Sequence, residues 1–360
     1  MIKVECASKE KIEAITKSTK AKDKILVEKV IRALMLLEGL AKSDLNFVFK
    51  GGTALMLLFD STKRLSIDID IIVPDKEIEF DDILEKICKE YSFTRFEEQP
   101  RKAKTQIDKV HYKLFFQSTI EEKESYVLLD ILKEEILYQN IVEVPIDSLF
   151  IELDGTALSV RVPDYNNILG DKLTAFAPNT TGIPYKKGDK EMGMEIIKQM
   201  YDIGCLCDYA DNPEVVSSVF SSFAYTEIQY RGNVCTVSDV LDDIIDNSLE
   251  ICLRGSHGKA DFSILSKGIV QVKGFIYSET FHLEKAITYA AKAAYMAVLI
   301  KYEQKDIRKY DATKVLEMKD WQIKDPISNK LNKLKKSNPE AFFYLYQLSE
   351  IASCFKTGFF

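Results

Sequence analysis

Histidine is scarce in this chain, with only His111, His257 and His282, and these lie so far apart that a histidine-built metal centre or catalytic triad has no support. Cysteine is no better organised. The seven cysteines are an odd number spread without metal spacing, and Cys205 and Cys207 are too close for a zinc knuckle, so they read as reduced structural thiols. Long apolar runs are missing too. The longest, residues 286–300, is interrupted by Lys292 and is too short to span a bilayer, and residues 1–10 contain no apolar signal region. A cytoplasmic protein with no membrane contact is expected. Positive charge is also short: 49 Lys and Arg against 56 Asp and Glu leave a net charge of −7, which argues against a protein that coats nucleic acid nonspecifically. One tryptophan, Trp321, and nine prolines complete the shortages, and no repeat period stands out.

What is present begins with size. A chain of 360 residues with 46% hydrophobic residues can bury two cores and is too long for one of ordinary size. Its chemistry concentrates in residues 46–73. Phe47 to Phe49 is a short apolar run that stops at Gly51 and Gly52, and residues 54–59 have helical composition, so the glycines stand at a strand-to-helix turn. Such a turn suits a triphosphate: the glycines let backbone approach a ligand, the first N–H groups of the helix point at it, and the Thr53 hydroxyl is a further candidate donor. Residues 67–73 are β-branched and end at Pro74, hence a strand, and its period of two puts Asp68 and Asp70 on one face with Ile67, Ile69 and Ile71 on the other. Two carboxylates one strand step apart repel unless a hard divalent cation takes oxygen from both, which makes Mg²⁺ the expected occupant, with Mn²⁺ as a substitute. An isolated Asp-x-Asp would read as the polar face of an edge strand. Coupled to Gly-Gly-Thr upstream, it reads as a site.

The residues Lys50-Gly51-Gly52-Thr53-Ala54-Leu55, followed by Arg64-Leu65-Ser66-Ile67-Asp68-Ile69-Asp70, resemble the AbiEii/AbiGii toxin nucleotidyltransferases of the DNA polymerase β-like superfamily. Fourteen residues separate Thr53 from Asp68, a spacing usual for these toxins, which also carry an Arg and a Ser before the Asp pair, here Arg64 and Ser66. The resemblance implies that Lys50, Gly51, Gly52, Thr53, Arg64 and Ser66 bind nucleotide and that Asp68 and Asp70 bind metal. A third carboxylate from a neighbouring strand is implied as well, completing the metal site and accepting the proton of the attacking hydroxyl; the matching element is residues 127–131 with Asp130. Within its own run, Asp130 shares a face with Tyr126, Leu128 and Leu132 and so interrupts an apolar row. The family's Lys-Leu-x-Ala element matches Lys172 to Ala175, and its Asp in a Tyr-Asp-Leu context matches Asp202, which makes Lys172 a catalytic and nucleotide-binding candidate and Asp202 a catalytic one. This chain departs from the pattern where many relatives carry a loop Arg and a second Asp, offering Lys186 or Lys187 and Gln199.

In chain order, residues 9–40 show helical spacing broken near Ser18, and residues 81–89 form a further helix. Strands are expected at 92–96, 110–116 and 126–132, joining the two site strands in one mixed sheet, with a hairpin of 150–153 and 158–162 across Asp154-Gly155. From 165 onward the pattern is helical. The expected fold is therefore α+β: a polymerase β-like nucleotidyltransferase domain with a mixed sheet over residues 1–205, followed by an all-helical domain over 206–360. Within the second, residues 301–336 hold eleven basic and six acidic residues interleaved with Tyr302, Tyr310 and Trp321, which reads either as a solvated helix surface or as an RNA face.

The resemblance implies an Mg²⁺-dependent enzyme that moves a nucleotide from an NTP to an RNA acceptor, the 3′ end of tRNA, as the toxin of a type IV toxin–antitoxin or phage abortive-infection pair. Its antitoxin would be encoded nearby, with or without direct contact. A small-molecule nucleotidyltransferase of the antibiotic-modifying kind and a non-catalytic NTP-binding regulator are the alternatives.

Overall fold

Two helices open the chain, each started by a side chain that accepts the first free N–H groups. Ser8 caps α1 (Lys9–Ser18) and Asp23 caps α2 (Lys24–Lys42). In this computed structural model, which describes residues 1–19, 21–99, 109–324 and 328–355, α2 is buried almost throughout from Val27 to Leu40. It lies against a five-stranded sheet of β1 (Val48–Lys50), β2 (Ile69–Ile72), β3 (Arg95–Glu98), β4 (Lys109–Gln117) and β5 (Glu124–Leu132) in the order β1-β2-β5-β4-β3. Only the β2–β5 pairing is parallel, so the sheet is mixed as expected. Helix α3 (Gly51–Leu58) follows β1 directly, and α4 (Asp81–Tyr91) packs beside α2.

The core side of the sheet is the row Ser125, Val127, Leu129 and Ile131 of β5, all buried. Asp130 belongs to the opposite, half-open row with the exposed Tyr126, so it does not interrupt a core row. The alternation is as expected, and because both rows of β5 are mostly apolar the sequence alone does not say which one faces inward.

The expected hairpin is replaced. β6 (Ile141–Pro145) pairs with β7 (Ser159–Pro163), while Leu153 makes only an isolated bridge to Ile2. Gly155 still turns, at φ +81°.

The chain divides into two compact units, the first holding Met1–Asp164 with Gly274–Thr280 and the second Tyr165–Lys273 with Phe281–Phe360. Residues 165–205, grouped with the first domain by composition, pack in the second unit, because their partners are other helices. That unit contains α5 (Tyr165–Ala175), α6 (Gly193–Cys207), α7 (Pro213–Tyr230), α8 (Val237–Cys252), α9 (Phe262–Gln271), α10 (Leu283–Lys301), α11 (Ser328–Ser337) and α12 (Pro339–Cys354). Helix α10 is its centre. Its fully buried Ala286, Ala290, Ala291, Ala293, Ala294 and Ala297 let α6, α8 and α12 approach closely. Lys292, buried in the same helix, is held by Asp208 at 2.7 Å and Glu340 at 2.8 Å, which tie the end of α6 and the start of α12 to it.

Candidate active site

The site of the first unit is built on the β1–α3 junction. Gly51 has φ +82°, a conformation that L side chains rarely adopt, and a Cβ there would lie 2.2 Å from Asp70 Oδ2. At Gly52 a Cβ would meet Arg64 Nη2 at 2.6 Å and Ser66 Oγ at 2.7 Å. The two glycines thus bring the backbone of the turn against Asp70, Arg64 and Ser66. Thr53 is fully buried and donates its hydroxyl to the Asp68 carbonyl at 2.6 Å. It fixes the backbone of the Asp pair, a positioning task for which the sequence carries no signal.

Arg64 is buried, its guanidinium donating to the Leu65 carbonyl at 3.1 Å. The Leu65 N–H donates to the Phe275 carbonyl at 2.8 Å, and Arg64 bridges Ile276. The segment 274–280 therefore anchors the residues just before the carboxylates from about two hundred positions away. No local signal in the sequence marks that contact.

Asp70 sits on β2, flanked by strands on both sides, with Ile69 and Ile71 fully buried on the opposite face. Asp68 immediately precedes the strand. In register, Lys50, Asp70, Asp130 and His111 form one row across β1, β2, β5 and β4. The Lys50 ammonium also lies 5.8 Å from the centre of the Tyr138 ring. Both oxygens of Asp130 are engaged, Oδ1 with His111 Nδ1 at 2.6 Å and Oδ2 with Lys109 Nζ at 3.2 Å. His111 and Lys109 were not singled out from sequence. The signal available was their alternation on β4, which places both on the face of Asp130.

Among the described residues, no group of three or more His, Cys, Asp or Glu side chains is arranged to hold a metal ion. Asp70 and Asp130 share a register and Asp68 precedes the strand, and the three do not close a cage. Asp68 and Asp70, half-buried hard oxygen donors beside the turn, nevertheless suit a cation such as Mg²⁺ that takes only one or two protein carboxylates and fills its remaining positions with phosphate and water.

The other two candidates lie in the second unit and meet each other. Lys172 Nζ on α5 is 3.0 Å from Asp202 Oδ2 and donates to Gln199 Oε1 at 2.9 Å, both partners being on α6. Asp202 and Lys172 are 3% and 8% exposed, so this is a buried ion pair and not a helix-surface one. The basic segment is tied down in places: Lys335 donates to the carbonyls of Lys319 and Trp321, and Lys330 to Ser256 Oγ at 2.8 Å. Trp321 stacks on Tyr346, with ring centres 4.5 Å apart and planes 21° apart.

The family model described as nucleotidyl transferase AbiEii toxin, type IV toxin–antitoxin system, matches residues 35–261. No curated protein matches the chain as a sequence relative. Among solved structures, JHP933 from Helicobacter pylori is 16% identical with a TM-score of 0.42, the match covering 77% of this chain and 90% of that one. An antigenic nucleotidyltransferase-like protein from Paracoccidioides brasiliensis is 12% identical with a TM-score of 0.35, over 58% of this chain and 92% of that one.

Proposed function

The chain belongs to the AbiEii nucleotidyl transferase toxin family of type IV toxin–antitoxin systems, and from that premise we propose that it transfers a nucleotide from an NTP to an RNA acceptor, the 3′ end of a tRNA. The observation that carries this reading is the row Lys50, Asp70, Asp130 and His111 beside a glycine turn whose first residue has room only for the Asp70 carboxylate. In it the N–H groups of the first turn of α3, with Lys50, Arg64 and Ser66, hold the triphosphate. Asp68 and Asp70 would hold Mg²⁺, or Mn²⁺ in its place, which when bound offsets the charge of the phosphates. Thr53 keeps the Asp pair in place.

Asp130, aimed by His111 and Lys109, takes the proton of the attacking hydroxyl. A bond forms from the RNA oxygen to the α-phosphorus as the bond to the β-phosphate oxygen breaks, and pyrophosphate leaves. Lys172, paired with Asp202 and Gln199, takes the role that the family's Lys-Leu-x-Ala element implies, a positive charge for the polyphosphate. The protein works in the cytoplasm as the toxin of a toxin–antitoxin pair with a phage-defence role; among the described residues no helix is long and apolar enough to cross a membrane.

The test is incubation with each α-labelled NTP and either total bacterial RNA or an aminoglycoside. Label entering RNA supports the reading. Label entering only the small molecule replaces it with an antibiotic-type transferase, and NTP binding without pyrophosphate release replaces it with a regulator.

A further inference from the structure

Away from the residues assigned to the catalytic site, the second unit contains a cleft of about 330 Å³ between the turn at Ala312–Met318, the irregular segment before it and α12. Its wall is aromatic. Phe343 lies 5.9 Å from Tyr310 at 61° and 6.0 Å from Trp321 at 32°, and Trp321 is backed by Tyr346, so the rings form a rigid apolar surface. The rim is charged and balanced: Arg308, Lys309 and Lys314 stand against Asp306, Asp311 and Glu317. On the same turn Leu316 is 87% exposed.

These features select a ligand class. Three cations against three anions do not make a trap for a polyphosphate, which would want net positive charge. A flat aromatic ligand that carries both hydrogen-bond donors and one phosphate fits better, because its ring stacks on the wall and each charge sign on the rim has a partner. Arg308 spends one N–H on Gln347 Oε1 at 3.0 Å and its Nε lies 3.6 Å from Asp306 Oδ2, so a guanidinium with five donors keeps three N–H groups to offer a phosphate. Glu317 and Asp311 can only accept, and Asp311 Oδ1 already takes the backbone N–H and the hydroxyl of Thr313, so Glu317 and the other Asp311 oxygen are the acceptors for donors such as the exocyclic amino groups of adenine, cytosine or guanine. Uracil has none.

We propose that this cleft is a binding site for one unpaired, amino-bearing nucleotide, stacked on the wall of Tyr310, Trp321 and Phe343 with its phosphate on Arg308 and Lys314. It rests on the RNA-acceptor reading for its natural ligand, the unpaired end of the acceptor. The base is recognised here, apart from the catalytic carboxylates.

Trp321 is the only tryptophan in the chain, so its fluorescence reports on the cleft directly. The full chain is titrated with AMP, CMP, UMP and inorganic phosphate, with emission corrected for nucleotide absorption. A saturable change with AMP and CMP, binding about tenfold weaker for UMP and no response to phosphate alone are expected, given that one base stack or one amino contact is worth about that factor. The exposed substitution Lys314→Glu should weaken AMP binding by about tenfold, as should Phe343→Leu, and a short single-stranded RNA should displace AMP. Absence of any saturable change, equal binding of UMP and AMP, or unaltered binding in both variants would overturn the proposal. Nucleotide binding in the cleft together with failure to label RNA would keep the site and discard the RNA-acceptor reading.

Discussion

At the scale of single residues, Gly51 decides most. Two costs meet there, left-handed backbone and a 2.2 Å encounter with Asp70, whereas Gly188 at φ +59° has nothing within 4 Å of a Cβ. Gly188→Ala should therefore cost only backbone strain, about 1 kcal/mol. Gly51→Ala should lose nucleotide transfer altogether and melt lower still; equal losses for the two variants, by thermal melt and transfer rate, would show that contact with Asp70 is immaterial. Lys172 offers a second separation. Removing it leaves Asp202 buried without its cation, so Lys172→Ala should cost about 3–5 kcal/mol, measured by urea unfolding. Turnover should also fall by about a hundredfold. The double variant Lys172→Met with Asp202→Leu should recover stability without recovering turnover, and recovery of both would reduce the pair to a structural role. The glycines and the Asp pair were legible because their residue types are rare in that order. The Thr53 contact and the engagement of Asp130 by His111 and Lys109 were not, since each depends on which neighbouring strand or turn is brought alongside.

Among the elements, the helices were the most legible, because a buried stripe repeats along the chain itself: α1 and α4 begin at their expected starts, Lys9 and Asp81, and the break expected near Ser18 separates α1 from α2. The pairing of β6 with β7 was missed. Asp154-Gly155 carries a turn signal, but Leu153 is drawn to Ile2, and a nonlocal partner leaves no mark in the local sequence. The loop between α5 and α6 is pinned by a contact that the sequence does not mark. Asp243 on α8 accepts the backbone N–H of Asn179 at 2.8 Å, its side-chain amide at 2.8 Å and the Thr180 hydroxyl at 2.9 Å. Burial pushes this carboxyl above its ordinary 3.8 against the pull of those hydrogen bonds. The folded state then holds the proton more tightly than the unfolded chain, so this group's contribution to stability should fall as pH rises from about 3.8 through the raised folded value and stay level above it. Asp243→Asn should remove that acidic slope from a plot of urea midpoint against pH while costing about 1–3 kcal/mol at neutral pH, because an amide cannot accept all these bonds. An unchanged slope would assign the pH dependence to other groups.

For the whole molecule, composition turned helical before the packing units could be told apart, and the return of residues 274–280 to the first unit has no compositional trace. Charge is the other property at this scale. In an acidic chain, α11 carries Lys330, Lys333 and Lys336 on an element also fastened through Lys335 to the carbonyls of Lys319 and Trp321. Neutralising the first three, and leaving Lys335, should weaken RNA binding and lower the slope of log affinity against log salt by about two, with NTP affinity unchanged. An unaltered slope would remove this helix from the acceptor surface. The central claim, that Asp68 and Asp70 direct transfer of an α-phosphoryl group from NTP to RNA, is tested most directly by comparing α-labelled and γ-labelled NTP with wild type and Asp70→Asn. The account predicts RNA labelled only from the α position, pyrophosphate released in equal amount, and both lost in an Asp70→Asn protein that still melts cooperatively; γ label in RNA, or wild-type transfer by Asp70→Asn, would contradict it.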